Sequence, residues 1–174
     1  VTAKNIVGKS TMPLKKLPFA ATAAAVATAL LLVACGGDNP ETLLASAKEY
    51  IAKNDHKAAV IQVKNVLQKQ PDLPEARFLL GSSLLASGDV AAAEIELSKA
   101  RSLKYPDEQV VPKLAQALLY QGKSKKLIEE FANTKLSVPA AVAELQTALS
   151  NAYAIEKNQP ASQAALKAAL EADP

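Results

Sequence analysis

From Thr42 onward, apolar residues return at every third or fourth position and polar residues fill the gaps, the pattern of helices with one buried face. Polar or Gly/Pro breaks divide this pattern into helical segments. The spacing predicts helices over Thr42–Lys53, Lys57–Gln70, Glu75–Ser87, Val90–Leu103, Glu108–Gln121, Ser124–Ala132, Ala140–Lys157 and Pro160–Ala172. Ala and Leu dominate the segments, and both enter helices at little cost. The breaks are themselves periodic. Asn54-Asp55, Gly88-Asp89 and Gly122 stand 34 residues apart. Asp55 and Asp89 are suited to cap the following helix. Pro71 stands just past a helix end, and the fourth unit is displaced by one residue.

A helix pair recurring every 34 residues or so is the signature of the tetratricopeptide repeat (TPR). Leu79–Ala100, LLGSSLLASGDVAAAEIELSKA, resembles one such repeat most clearly. Gly81, Ala93 and Ala100 occupy its small-residue positions, and Leu80, Leu84 and Leu97 stand one turn away. Ala47, Ala115 and Ser150 are the counterparts of Gly81. The expected fold is an all-α, TPR-type α-solenoid with repeats at 40–73, 74–107, 108–141 and 143–174. The third pair should pack differently, because Leu127 and Thr134 replace small residues and its second helix is short.

A different pattern precedes the repeats. Lys15-Lys16 lead into Leu17–Ala34, a run without charge, as in a secretory signal over residues 1–34. Met12-Pro13-Leu14-Lys15-Lys16 itself reads as a normal beginning. The run ends in Leu32-Val33-Ala34-Cys35, which resembles the bacterial lipobox. That resemblance implies a diacylglycerol on the Cys35 sulfur, cleavage before Cys35 and acylation of the new amino group. The competing reading is an uncleaved membrane anchor, but the run is near the lower limit of roughly 17–20 residues for a span and is rich in Ala. Cys35 is the single cysteine, so no disulfide forms within the chain. Gly36, where an Asp would favour inner-membrane retention in enteric bacteria, favours an outer-membrane address. Residues 35–40 hold the lipidated cysteine and a short polar link reaching less than roughly 20 Å.

Residues 57–100, KAAVIQVKNVLQKQPDLPEARFLLGSSLLASGDVAAAEIELSKA, together with YPDEQVVPKLAQALLYQGK at 105–123, resemble the TPR-repeat lipoproteins of the PEP-CTERM/exosortase system. The resemblance runs from about Leu17 to the end. It implies an exported, lipid-anchored scaffold that binds envelope proteins or peptides during PEP-signal protein sorting and exopolysaccharide production. A TPR lipoprotein of outer-membrane or type IV pilus assembly is the alternative. Members of the resembled family are longer, and the last helix carries more apolar residues than one partner helix covers. The natural chain is therefore expected to continue past Pro174 as further repeats.

Charge changes this picture only by subtraction. The formal charge of +3 contains Lys4, Lys9, Lys15 and Lys16; removing these four from 20 basic residues leaves 16 against 17 acids, a net of −1. The repeats therefore have no basic footprint and no interleaved aromatics for nucleic acid. No cofactor is implied beyond the lipid on Cys35. His56 is the only histidine and lies beside a turn, where a solvated surface role is expected. One His and one acylated Cys do not make a metal site. Asp107/Glu108 and Glu129/Glu130 are sequence neighbours and point to different sides of their helices. Gly81 and Gly88 lack the clustered pattern of a phosphate loop. No residues for catalysis emerge.

The remaining candidate is the groove. By TPR geometry the inward positions are Lys48 and Ile51; Phe78, Ser82 and Leu85; Gln116, Leu119 and Tyr120; and Asn151 and Ile155. Phe78 and Tyr120 are the expected anchors, since aromatics give large contact area at low entropy cost; filling gaps between helices is the other reading of both. The Lys/Asn/Arg set that clamps C-terminal carboxylates in chaperone-binding TPRs is not matched.

Overall fold

The computed structural model describes residues 39–173. The expected signal segment, Cys35 and the link before Asn39 lie outside them. Among the described residues there are eight helices: α1 Pro40–Ala52, α2 His56–Lys69, α3 Pro74–Ala86, α4 Val90–Ser102, α5 Asp107–Tyr120, α6 Ser124–Phe131, α7 Pro139–Ile155 and α8 Gln159–Ala172. None of them is long and apolar enough to cross a membrane.

Each pair turns over in the same way. Asn54, Gly88, Gly122 and Lys157 all have positive φ, at 60°, 87°, 70° and 59°. Around each, two backbone bonds close the end of the first helix. Asn54 N–H donates to Ile51 O and Asp55 N–H to Tyr50 O, at 2.9 and 2.8 Å, and the other three turns repeat this. This double closure satisfies carbonyls that a helix end leaves open. Asp55, Asp89 and Asn158 then cap the second helix by accepting from Ala58, Ala92 and Ala161 N–H at 3.0, 3.2 and 3.2 Å. The third turn is the exception. Lys123 stands where the others place Asp or Asn, and α6 has no side-chain cap and only 8 residues. A lysine at a helix N-terminus also opposes the macrodipole.

Pairs α1–α2, α3–α4 and α7–α8 pack closely, and the α5–α6 pair is the loosest. The first helices of successive pairs touch in series, α1 on α3, α3 on α5 and α5 on α7, whereas α2, α4, α6 and α8 do not approach one another as closely. The first-helix layer is thus the tighter, inner side. One apolar core runs through all four pairs, from Leu43 and Ala47 to Leu149 and Ala165. Gly81, Ala47, Ala115 and Ser150 are all buried at the pair contacts. Ser150 Oγ donates to Ser162 O at 2.9 Å inside the last pair. Pro112 lies inside α5, where it is buried among Val110, Val111 and Leu114. Ion pairs tie elements together at the surface. Arg77 Nη1 meets Glu96 Oε2 at 2.6 Å between α3 and α4, with both side chains largely covered. The entry to α7 is held by Glu108, whose carboxylate accepts from Ser137 and Val138 N–H at 2.7 and 3.2 Å.

Candidate partner-binding cleft

Counting back from the left-handed residue inside each of the four pairs places one polar side chain per pair at the same register. Lys48, Ser82, Gln116 and Asn151 each stand six residues before such a turn. They form a polar track along the first-helix layer. Two residues before each turn stand Ala52, Ala86, Tyr120 and Ile155. The track is therefore flanked by small residues in its first half and by large apolar ones in its second. Tyr120 and Ile155 are 62% and 57% exposed.

Between α5 and α7 the track opens into a cleft of about 550 Å³. That volume is in the range that holds a peptide side chain or small ligand. Of the groove residues expected from sequence, Gln116, Leu119, Tyr120 and Asn151 line this cleft together. Pro112, Lys113, Glu144, Thr147 and Asp173 line it as well. None of these five is among the groove residues expected from sequence. Lys113 Nζ pairs with Glu144 Oε2 at 3.0 Å across the cleft. Gln116 Nε2 donates to Tyr120 Oη at 3.0 Å, which holds the phenol along α5. The cleft thus presents an aromatic ring, carboxamide donors and acceptors, a hydroxyl and a mixed pair of charges.

The other groove candidates sit elsewhere. Lys48 pairs with Glu75 at 2.7 Å and closes the polar track at its first step. Ile51 is half-buried on α1 and Ile155 is exposed, and neither lines the cleft. Phe78 is half-buried and stacks on Tyr105, ring centroids 4.7 Å apart and planes 19° from parallel. Burial, and secondarily the Glu75 carboxylate, push the Tyr105 phenol above its ordinary pKa. Ser82 is half-buried and its Oγ has no hydrogen-bond partner. Leu85 departs from expectation: it is 8% exposed and belongs to the core. The physical reason is its helix, because α3 is packed by α1, α2, α4 and α5 and has little free circumference.

His56 also differs from a freely solvated residue. It is half-buried, and its Nε2 lies 2.9 Å from Asn54 Oδ1 across the first turn. Among the described residues no group of three or more His, Cys, Asp or Glu gathers as a metal site would require.

A second polar cluster ties α4 to the third turn. Glu94 accepts from Lys126 Nζ at 2.8 Å, from Lys123 Nζ at 2.5 Å and from Gln121 Nε2 at 2.8 Å. Burial raises the Glu94 pKa, but the Lys123, Lys126 and Gln121 hydrogen bonds outweigh it and bring the carboxyl down to about 2. This cluster explains how the uncapped Lys123 is tolerated: its charge is matched from the preceding pair.

No family model and no curated protein sequence matches the chain. Solved structures do. The crystal structure of MamA, a TPR-like helical repeat protein, matches with a TM-score of 0.65 at 20% identity, over 86% of this chain and 86% of that chain. At that identity the likeness speaks for the fold. The chain is an all-α, TPR-like solenoid.

Proposed function

We propose that this protein is a membrane-anchored TPR scaffold that binds protein partners in the cell envelope, and that it acts in PEP-CTERM/exosortase protein sorting and exopolysaccharide production. The observation that carries the binding role is the α5–α7 cleft, where Gln116, Leu119, Tyr120 and Asn151 converge from two pairs. Tyr120 supplies contact area, and the carboxamides of Gln116 and Asn151 each offer a donor and an acceptor, the complement of a peptide unit. The role is one of holding rather than converting a partner. The anchor is the lipid on Cys35, and two or three acyl chains hold a protein much more firmly than one. The setting rests on the resemblance of residues 57–100 and 105–123 and of the lipobox.

The test has two parts, made in the native cell. Mass spectrometry of the mature protein should find Cys35 as an acylated N-terminus, and Cys35→Ala should retain the leader. An intact, unlipidated leader on the wild type removes the anchor from the reading. A photo-cross-linker at Tyr120 should capture proteins of the sorting and polysaccharide machinery, whereas one at exposed Ser98 should not. Capture confined to pilus or outer-membrane assembly proteins would replace the proposed setting with that one.

A further inference from the structure

The outer layer carries a stripe that is basic and apolar at once. On α2, Lys57, Ile61, Lys64 and Gln68 stand four, three and four residues apart, which places them on one face of the helix, and all four are exposed. The opposite face, Ala59, Val63, Val66 and Leu67, is buried. Ile61 is 60% exposed. The other outer helices balance their charge: Lys99, Lys126 and Lys167 each pair with a Glu of their own helix, Glu96, Glu130 and Glu171, at 3.5, 3.7 and 3.7 Å. Helix α2 contains no acid, and Lys57 and Lys64 make no ion pair among the described residues.

The internal repetition shows that stacking does not cover this face. One repeat on, the counterparts in α4 are Ala91, Ile95, Ser98 and Ser102. Helix α4 has a helix pair on either side, yet all four are exposed, Ile95 by 56%. The exposure therefore does not depend on where the stack begins or ends. Ile61 and Ile95 stand seven residues after their turn residues, Asn54 and Gly88; the same position in α6 is the exposed Glu129. The face free of acids thus belongs to the first two pairs. Asp55 and Asp89 lie at its edge, engaged in capping α2 and α4.

We infer that the outer faces of α2 and α4 lie on an anionic lipid surface, with Ile61 and Ile95 at headgroup level and Lys57 and Lys64 on lipid phosphates. Lysine suits such a surface, because its stem lies along apolar groups while the ammonium reaches the phosphate. Two isoleucines set among Ala, Ser and Gln offer little of the apolar core a stable protein interface requires. A surface contact needs less, since a tethered chain meets the bilayer at high effective concentration. The inference rests on the membrane anchoring proposed above: Cys35 stands five residues before Pro40, a link reaching less than roughly 20 Å, and α1–α2 is the first pair after it.

The test is lipid photo-cross-linking of the mature chain from native cells, reconstituted in vesicles of phosphatidylglycerol and phosphatidylethanolamine. Benzoylphenylalanine at Gln68 or Ser98, on the outer face, should form lipid adducts; at Ala86, exposed on the first-helix side, it should not. Adducts at Gln68 should fall by about threefold or more in phosphatidylcholine vesicles, and equally in the variant Lys57→Gln with Lys64→Gln, because each lysine near an anionic surface adds to the attraction. Ile61→Ser should lower them as well. These side chains are exposed, so circular dichroism should show the variants folded as wild type. A chain that does not stay with the vesicles removes the anchor and this inference together. A chain that stays but forms equal adducts from Gln68 and Ala86, keeps its adducts in the lysine variant, or cross-links to protein at Gln68 in cells overturns this inference alone.

Discussion

Gly81 lies so close to Leu97 that no side chain fits between them. A Cβ at Gly81 would fall 2.7 Å from Leu97 Cγ and 3.0 Å from the Leu97 backbone nitrogen. The leucine side chain can rotate, but the backbone atom cannot retreat without moving α4. Gly81→Ala should therefore destabilise the fold by about 1–3 kcal/mol, the usual cost of overpacking a tight contact. Ala115, at the same register, is already a tolerated methyl in the next pair. Urea melts of the two proteins check this; an unchanged midpoint would show that α3 and α4 separate more easily than their packing implies.

The left-handed turns make a second, opposite prediction. Gly88 has φ +87° and open space around its missing side chain, so a substitution there meets strain and no clash. Gly88→Val should cost about 1–3 kcal/mol for that strain alone. Asn54→Gly should be nearly neutral, since the turn keeps its conformation and loses only the exposed contact with His56. Lys157 already occupies the strained region at φ 59°. Lys157→Gly should be neutral to stabilising, by up to about 1 kcal/mol, as relief of strain is offset by a looser unfolded chain. Denaturation midpoints ranked in the order Lys157→Gly, Asn54→Gly, Gly88→Val are the expected result.

These turns also mark how far the sequence can be read. Asn54, Gly88 and Gly122 announce left-handed positions because Asn and Gly tolerate them, and the 34-residue spacing follows. Lys157 and Lys104 adopt the same conformation with no such signal; their turns are imposed by the helices on either side. The helix faces were legible for the same reason, because burial follows a local period. What sequence could not show are pairings between repeats. Phe78 meets Tyr105, Glu94 meets Lys123 and Lys126, and Glu108 meets the backbone before α7, all at separations near one repeat. Leu85 looked like a groove residue because its register is inward. It is buried because α3 has neighbours on four sides.

Glu94 gives the fold a predictable acid response. Its carboxyl falls from an ordinary 4.5 to about 2 because two lysines and Gln121 hydrogen-bond the charged form more strongly than burial disfavours it. A depressed folded pKa stabilises the fold fully above the unfolded value, and that contribution is lost as pH falls from 4.5 through about 2. Both lysines are nearly half exposed, so solvent screens the pairs and the contribution is on the order of 1–2 kcal/mol. Glu94→Gln should therefore be less stable than wild type at pH 7, and the gap should close between pH 4.5 and 2. Added salt should also narrow it. A gap that stays constant down to pH 2 would assign the loss to packing and not to charge.

Phe78 and Tyr120 were equivalent candidates on sequence and are not equivalent in the structure. Phe78 has one face covered by Tyr105 and packs on the core, so its ring already has an occupant. Phe78→Ala should cost about 2–4 kcal/mol, below or near the range for a fully buried ring because the site is only half-buried. Tyr120 is 62% exposed at the mouth of the α5–α7 cleft, and within the fold its hydroxyl receives a hydrogen bond from Gln116 alone. Tyr120→Ala should leave stability within about 0.5 kcal/mol of wild type, as surface substitutions usually do. Its effect should fall on binding: loss of an exposed aromatic anchor costs a partner about 2 kcal/mol, or some thirtyfold in affinity. Thermal melts and quantitative capture of a cross-linked partner, run on both variants, separate the two roles. Phe78→Ala should lower the melting temperature and bind in proportion to the folded fraction. Tyr120→Ala should melt as wild type and fail to capture. If Tyr120→Ala captures normally while folded, the cleft between α5 and α7 is not where the partner sits.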